Sequence, residues 1–511
     1  MNSTPHGRPN ILLVVMDCVR ADDFIPDPSS NYLPFAGELA KESVRFTRAV
    51  SPASWTVPSH ASLFTGLYPW EHGAHSEADW NLRRDTPTLA GMLRPLGYSS
   101  VSLSANFLVS PRFGLVNDFD SAYWGGWWEP YLRSPSGTKK AGVAPSARKT
   151  IASVLAHGST NKSWLGPPPI LQLYSPFILK RTYLLDMAHR LLLKMNNGRK
   201  VGVTSPWIEP TLDRWMPKQP SDKPVFCMIN LLDAHEPYFS SDEVIHGIRE
   251  WLKYARLSQE RQGWIKGEWK ATPEKLAVLH KLYRQSLGDI DSRLNRIVDA
   301  FKKAGRWENT LAIVTSDHGQ AFGEHGKLFH IFGVAEPGVR VPLWVRYPDG
   351  HGAGTQESSW VSLVDVLPTV MKAMGDQSLP KCSGHPLQTL EGKLRPDPVI
   401  TISDSYGYVE SFAQTKQKRV TRAPKPLQIA AYHDEWKVVA DWKSSLAPRA
   451  YKIDMDPGET NDLWDGKSEN LLELAKITSG IVTKMLKAKA PGTSAPSQEI
   501  TDRLRAWGYV D

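Results

Sequence analysis

The sequence predicts an α/β fold: a central, mostly parallel sheet between helices, with a smaller C-terminal α+β module. Three features predict it. Near-continuous apolar runs recur at Asn10–Met16, Pro224–Leu232 and Thr310–Thr315, the pattern of strands buried on both faces. Helical periodicity lies between them, most clearly over Pro273–Gly305. Past about residue 390 the texture changes to short strands followed by a helix.

The chain has 511 residues, enough for a sizeable core and more than one domain. The expected division is 1–390 and 391–511, with an atypical insertion at about 123–221. A formal charge of +8 suits an anionic substrate. The basic residues are scattered, with small clusters such as Lys416–Gln417–Lys418–Arg419, and no long basic run interleaved with aromatics argues for nucleic acid. Three cysteines, Cys18, Cys227 and Cys382, argue against a disulfide framework and a cysteine-based zinc site. No apolar stretch reaches the roughly 18 residues of a spanning helix. The expectation is a soluble cytoplasmic protein without a transmembrane segment.

Taken in order, the first strand ends in Asp17, followed by Cys18–Val19–Arg20–Ala21–Asp22. Ligands of open α/β sheets bind beyond the carboxyl ends of the strands, so Asp17 is placed as a metal ligand, an anchor for Arg20, or a helix cap. A polar, turn-forming run then leads to Thr56–Val57–Pro58–Ser59–His60, and Gly66 and Pro69 close a short helix. Thr56 at the start of that helix is either an N-cap or a nucleophile, since backbone N–H groups and the helix dipole favour an anion there. A helix is expected over Pro87–Leu93, capped by Thr86, and a strand over Ser99–Leu103 that exits towards Asn106. The insertion is rich in Trp, Pro and Gly, and its apolar, basic stretch Phe177–Lys194 reads as a lid, a docking surface or a helix against the core. The strand at Pro224–Leu232 delivers Asp233–Ala234–His235, and the strand at Thr310–Thr315 delivers Asp317–His318. Lys327 and His330 follow, then a strand at Val341–Arg346. The C-terminal strands are expected at Val399–Ser403, Leu427–Tyr432, Trp436–Ala440 and Ala450–Ile453, with a helix at Asn470–Lys487.

Asp17, Asp317 and His318 supply two anionic ligands and one neutral one, and the Thr56 oxygen completes a metal site. The mixed oxygen and nitrogen set leans towards Mn, Zn or Fe, with Ca or Mg as alternatives. A threonine hydroxyl is a weak nucleophile until a cation lowers its pKa. His235, Lys327, His330, Asn106 and Arg20 are candidates for gripping an anion or protonating a leaving oxygen. Each also has a structural reading as a loop hydrogen-bonder or a solvated side chain.

At these residues the chain resembles the sulfatase family of the alkaline phosphatase superfamily. Pro9–Asp17, Thr56–His60 continuing to Gly66, Asp233–Tyr238, Thr315–Gly319, Gly323–Lys327, Gly338–Pro342, Asp365–Thr369 and Tyr451–Asn461 match its motifs in order. The resemblance implies an alkaline phosphatase-like sandwich, a metal-dependent ester hydrolase, and an anionic small-molecule, sugar or lipid ester as substrate. The departures shape the expected chemistry. Sulfatases carry Cys or Ser at the nucleophile and oxidise it to formylglycine, whereas this chain has Thr56, with His60 where the family has Arg. Threonine's β-carbon is secondary, so oxidation gives a ketone, and no formylglycine forms. Cys18 replaces the family's second metal Asp. The spacing from Asp317 to His330 resembles the phosphoethanolamine transferases, whose membrane helices are absent here. No Asp-x-x-x-His with a further His builds a convincing second metal site, so one divalent metal is favoured, with two left open.

The expected function is cleavage of a phosphate ester, a phosphodiester or phosphonate monoester, by the Thr56 alkoxide, with water or an alcohol as acceptor. The alternatives are a sulfuric ester hydrolase working without formylglycine and a degenerate, non-catalytic binding member.

Overall fold

The computed structural model describes residues 7–27, 29, 32–75, 80–125, 207–236, 238, 272–330, 333–375, 381–403, 428–441 and 446–487. Most of the expected insertion, the Lys416–Arg419 cluster and the segment after Lys487 lie outside the described residues.

Eight strands form the main sheet. They are β1 (Asn10–Met16), β2 (Val44–Val50), β3 (Ser99–Ser104), β4 (Ser121–Trp124), β5 (Val225–Leu231), β6 (Thr310–Ser316), β9 (Leu343–Arg346) and β10 (Gln356–Ser362). A two-stranded hairpin, β7 (Ala321–Phe322) and β8 (Leu328–Phe329), lies between β6 and β9 in sequence. The sheet order is β10-β2-β9-β6-β1-β5-β3-β4. All pairings are parallel except those of β9, which runs against both β6 and β2. The mostly parallel sheet expected from the three apolar runs is therefore present.

β1 shows why those runs are apolar throughout. Ile11, Leu13 and Val15 face one core, and Leu12, Val14 and Met16 face the other. On the first face pack α2 (Thr56–Thr65), α3 (Leu89–Leu93) and α6 (Val366–Ala373), through residues such as Phe64, Leu93 and Leu367. On the second pack α1 (Pro34–Lys41), α4 (Ile208–Trp215) and the long α5 (Pro273–Lys303), through Leu39, Leu212 and Leu287. Each fully buried Leu or Ile contributes about 1.5–3 kcal/mol.

The C-terminal sheet is antiparallel: β11 (Val399–Ser403), β12 (Gln428–His433), β13 (Trp436–Asp441) and β14 (Arg449–Lys452). One face carries Ile402, Ile429 and Val438 against Leu474 and Ile481 of α7 (Glu469–Lys487). The other face packs Tyr432 and Val439 on Trp360 and Val339 of the main body.

Two local expectations change. The helix expected from Pro87 starts at Leu89, and its cap is Thr88 rather than Thr86. The Thr88 hydroxyl accepts from the Gly91 amide at 3.1 Å and donates to Asp118 at 2.6 Å. Both ends of the expected insertion also carry core structure. β4 extends the main sheet, α4 packs on α5 through Ile208 and Leu212, and Trp207 Nε1 donates to the Gly125 carbonyl at 3.1 Å.

Candidate active site and metal centre

Four parallel strands, β1, β3, β5 and β6, end at the same edge. They deliver Asp17, Asn106, His235 and Asp317–His318, as the sequence pattern anticipates for an open α/β sheet. α2 brings Thr56 to the same edge. Its N-cap is Trp55, and Thr56 is the first helical residue, so its hydroxyl is not used as a cap. Gly66 at φ 68° closes the helix, as a left-handed C-cap does. Ser59 of α2 and Ser51 donate to the Asp317 carbonyl at 2.6 and 2.5 Å, which pins this helix to the β6 exit. Ser316 Oγ ties the β1 and β6 exits together, accepting from the Val19 amide at 2.9 Å and donating to the His318 carbonyl at 2.7 Å. Gly319 has room for no side chain: a Cβ there would lie 2.0 Å from the Pro337 carbonyl oxygen.

At the centre Asn106 Nδ2 donates to Asp17 Oδ2 at 2.7 Å and to Thr56 Oγ1 at 3.3 Å. His318 Nε2 lies 3.5 Å from Asp317 Oδ2 and 3.8 Å from Asp17 Oδ1. The other ring nitrogen, Nδ1, is 3.0 Å from the Gly319 carbonyl. That neighbour assigns the proton to Nδ1 and leaves Nε2 as a lone-pair donor. Asp17, Thr56, Asn106, Asp317 and His318 are all buried.

The electrostatics are compatible with a cation at this place. Burial opposes ionisation of Asp17, but the neighbouring His235 and His318 and the Asn106 hydrogen bond outweigh it and hold the carboxyl below its usual range. Burial, then the charge of Asp17, pushes Asp317 well above the usual carboxylate range, although the Cys18 and His318 amides and the Thr56 hydroxyl favour its anion. Burial lowers His318. Asp317 Oδ2 and His318 Nε2 are buried without a hydrogen-bond partner. Two close carboxylates and an imidazole with orphaned lone pairs fit a divalent ion, which would satisfy those atoms and offset the repulsion. Asp17, Cys18 and His318 also form a ligand-distance set.

Residues 9–376 match the family model described as Sulfatase. The chain belongs to the sulfatase family.

This sulfatase-family chain is 22% identical to arylsulfatase K of Xenopus laevis, over 94% of this chain and 83% of that protein. It is 24% identical to the multifunctional alkaline phosphatase superfamily protein PehA of Trinickia caryophylli, over 89% and 91% respectively. Among solved structures, it resembles one in complex with its substrate D-glucosamine-2-N,6-O-disulfate at TM-score 0.60 and 16% identity, covering 94% of this chain and 98% of that one. It resembles the phosphonate monoester hydrolase of Silicibacter pomeroyi at TM-score 0.58 and 17% identity, covering 94% and 96%. At these identities the structural likeness establishes the α/β fold, with its second antiparallel sheet.

The remaining candidates of this sulfatase-family protein fall into two groups. His235 and His330 adjoin the centre: their rings lie 4.8 Å apart, and His330 stacks on His318 at 4.8 Å. Burial lowers His330 to about 3. Lys327 lines a cleft with Ser54, Glu324, Phe329, His330 and Gly338, and its amine donates to Gln428 of the second sheet at 3.3 Å. Arg20 is turned to another task. Its guanidinium pairs with Asp22 at 2.5 Å and Glu324 at 2.7 Å, and its amide donates to the Tyr283 hydroxyl at 2.8 Å. It braces the turn after Asp17, with its charge facing the protein's own carboxylates.

Three side chains at the centre were not singled out for site roles from the sequence. His60 Nδ1 sits 3.5 Å from Asp317 Oδ2, and Gln320 Oε1 and Glu236 Oε2 lie 3.3 and 3.6 Å from His330 Nδ1. The available signal was adjacency: each stands within a few positions of a residue at a strand exit or on α2.

Proposed function

We propose that this sulfatase-family protein is a metal-dependent hydrolase or transferase of phosphate esters, phosphodiesters or phosphonate monoesters, with Thr56 as nucleophile. The observation that carries the reading is the identity and position of that residue. A threonine, which has no route to an aldehyde, stands on the first turn of α2 with its hydroxyl in hydrogen-bond reach of Asn106. The match to a multifunctional alkaline phosphatase superfamily protein agrees with it. Asp17, Asp317 and His318 would hold the ion. When bound, that ion lowers the pKa of the Thr56 hydroxyl and neutralises ester oxygens.

The residues then divide the work. Asn106 Nδ2 orients Thr56 Oγ1 and stabilises charge on it. The amides of the first turn of α2 face the phosphoryl oxygens. Thr56 Oγ1 gives up its proton to solvent and forms the new bond to phosphorus, and the bond to the leaving oxygen breaks. Lys327, in the cleft beside His330, supplies the proton that oxygen takes up. Water or an acceptor alcohol then attacks the phosphothreonine and restores Thr56.

The second reading, a sulfate-ester hydrolase without formylglycine, is favoured by the arylsulfatase K relatives. A panel of phosphodiester, phosphonate monoester and sulfate ester substrates with the metal-loaded protein separates the two. The first reading expects phosphodiester or phosphonate turnover, phosphate trapped on Thr56 by mass spectrometry, and loss of turnover in Thr56→Ala by about 10,000-fold or more. Sulfate turnover with no phosphodiester or phosphonate turnover overturns it.

A further inference from the structure

A second ligand cluster lies beside the first. Cys18, His235, Glu236 and His330 each offer one donor atom, and these atoms all lie within 4.8 Å of one another. They come from three separate segments: the β1 exit, the β5 exit and the residue after β8. Cys18 Sγ is 3.7 Å from His330 Nδ1, and His330 Nδ1 is 3.6 Å from Glu236 Oε2. A tetrahedral ion with bonds of about 2.0–2.3 Å sets its ligand atoms about 3.3–3.8 Å apart. These separations therefore need little adjustment to close on an ion.

The backbone offers a second, independent observation. Cys18 and Phe329, the residue before His330, both hold positive φ, at 63° and 66°. For a side chain with a Cβ this region costs about 1–2 kcal/mol. Neither residue is glycine, so the surroundings hold the strain. At Cys18 the Tyr283 hydroxyl donates to the carbonyl at 3.0 Å, and the amide faces Asp317 Oδ1 at 3.4 Å. Strain of this kind, kept at two points of one cluster, marks positions whose side-chain direction matters. It aims the thiol at Asp17 Oδ1, 3.2 Å away, and at the His330 ring.

We propose that Cys18, His235, Glu236 and His330 bind a second divalent cation, zinc by preference, next to the Asp17–Asp317–His318 site. One thiolate, two imidazoles and one carboxylate form a borderline-soft, four-donor set that suits zinc over calcium or magnesium. The thiol proton, now directed at Asp17, leaves to solvent as the sulfur binds the ion. His235 Nδ1 already lies 2.5 Å from the Glu236 carbonyl, the kind of outer hydrogen bond that orients a ligating imidazole. The assignment gives His330 a ligand's task in place of gripping the substrate anion. It goes beyond the proposed function and stands whichever ester is cleaved.

The test counts zinc, not turnover. The full chain is stripped with a chelator, reloaded with zinc, dialysed and measured by mass spectrometry of the metal. The wild-type protein is expected to retain two zinc ions per chain, and Cys18→Ser and His330→Gln one each, with unchanged circular dichroism. Cobalt-loaded wild type is expected to show a thiolate-to-cobalt charge-transfer band that Cys18→Ser lacks. If a variant fails to fold, the wild-type count and the wild-type band decide. One zinc per wild-type chain overturns the proposal, as does the absence of the band or two ions retained in both folded variants. A failed ester panel with two zinc ions bound would count against the proposed reaction and leave this site standing.

Discussion

Asp317→Asn isolates the electrostatic argument for the first metal centre. The substitution keeps the shape of the side chain. Oδ1 still accepts from the His318 amide at 2.9 Å and faces the Cys18 amide at 3.4 Å. The new amide nitrogen replaces Oδ2, which lies 3.5 Å from His318 Nε2, so it gains an acceptor there, while His60 Nδ1 keeps its donation to the Thr56 carbonyl at 3.0 Å. The charge removed is one that burial and Asp17 already oppose. The metal-free variant is therefore expected to unfold at or above the temperature of the metal-free wild type. With a cation at 100 times its dissociation constant, the wild type gains about 2.7 kcal/mol, a rise on the order of 5 °C. A 100-fold loss of affinity in the variant leaves RT ln 2, about 0.4 kcal/mol, and almost no shift. Thermal unfolding followed by circular dichroism, with chelator and then with manganese, which a thiolate-bearing second cluster disfavours, reads both quantities. An equal metal-induced rise in the two proteins would refute the reasoning. So would a metal-free variant several kcal/mol less stable than the wild type.

Other outcomes follow from single contacts. Asn106→Ala removes the donor shared by Asp17 and Thr56 and is expected to lower kcat about 100- to 1,000-fold in steady-state assays of the metal-loaded enzyme. Arg395→Ala strands the buried Asp365, which the guanidinium holds at 2.6 and 2.9 Å; urea unfolding is expected to show a loss of about 3–5 kcal/mol. Burial opposes ionisation of Glu459, but Lys437 at 2.7 Å, His325 and the Glu336 amide outweigh it and set its pKa to about 2, below the usual 4.5. A depressed carboxyl pKa stabilises the fold above pH 4.5, and that contribution, on the order of 3 kcal/mol, is lost as pH falls towards 2. Urea unfolding at pH 5 and pH 3 is expected to read about 2 kcal/mol of it, and Glu459→Gln is expected to flatten the difference.

The strands at the middle of the main sheet were legible because burial on both faces leaves an unbroken apolar record. β1, β5 and β6 each read that way, and Asp17, His235 and Asp317 follow at their exits. β2 and β10 were not legible. β2 is interrupted by Arg45, Thr47 and Arg48, and β10 opens with Gln356–Glu357–Ser358–Ser359 at the sheet edge, so neither shows a clean period. At the candidate site, the convergence of Asp17, Thr56, Asp317 and His318 could be anticipated because each sits at an element terminus with a recognisable signal. The neighbourhood of Cys18, Glu236 and His330 could not. Their proximity depends on where the β7–β8 hairpin folds back and on positive φ at Cys18 and Phe329, and neither leaves a spacing rule. Arg20 shows the reverse: a cation beside the first motif looked suited to an anion, yet Asp22 and Glu324 are close enough to take it.

The loop that carries the chain into α2 is stitched to the C-terminal sheet. The Ile402 amide donates to the Pro52 carbonyl at 3.0 Å, the Ser54 amide donates to the Ile402 carbonyl at 3.2 Å, and Ala53 pairs with Ile402 as a parallel bridge. During synthesis Thr56 thus emerges long before the strand that fixes its approach. The ribosome must deliver β11 before this loop can settle. A nascent chain stopped short of β11 lacks this second anchor, and the loop before Thr56 is then held through the Ser51 and Ser59 bonds to the β6 exit.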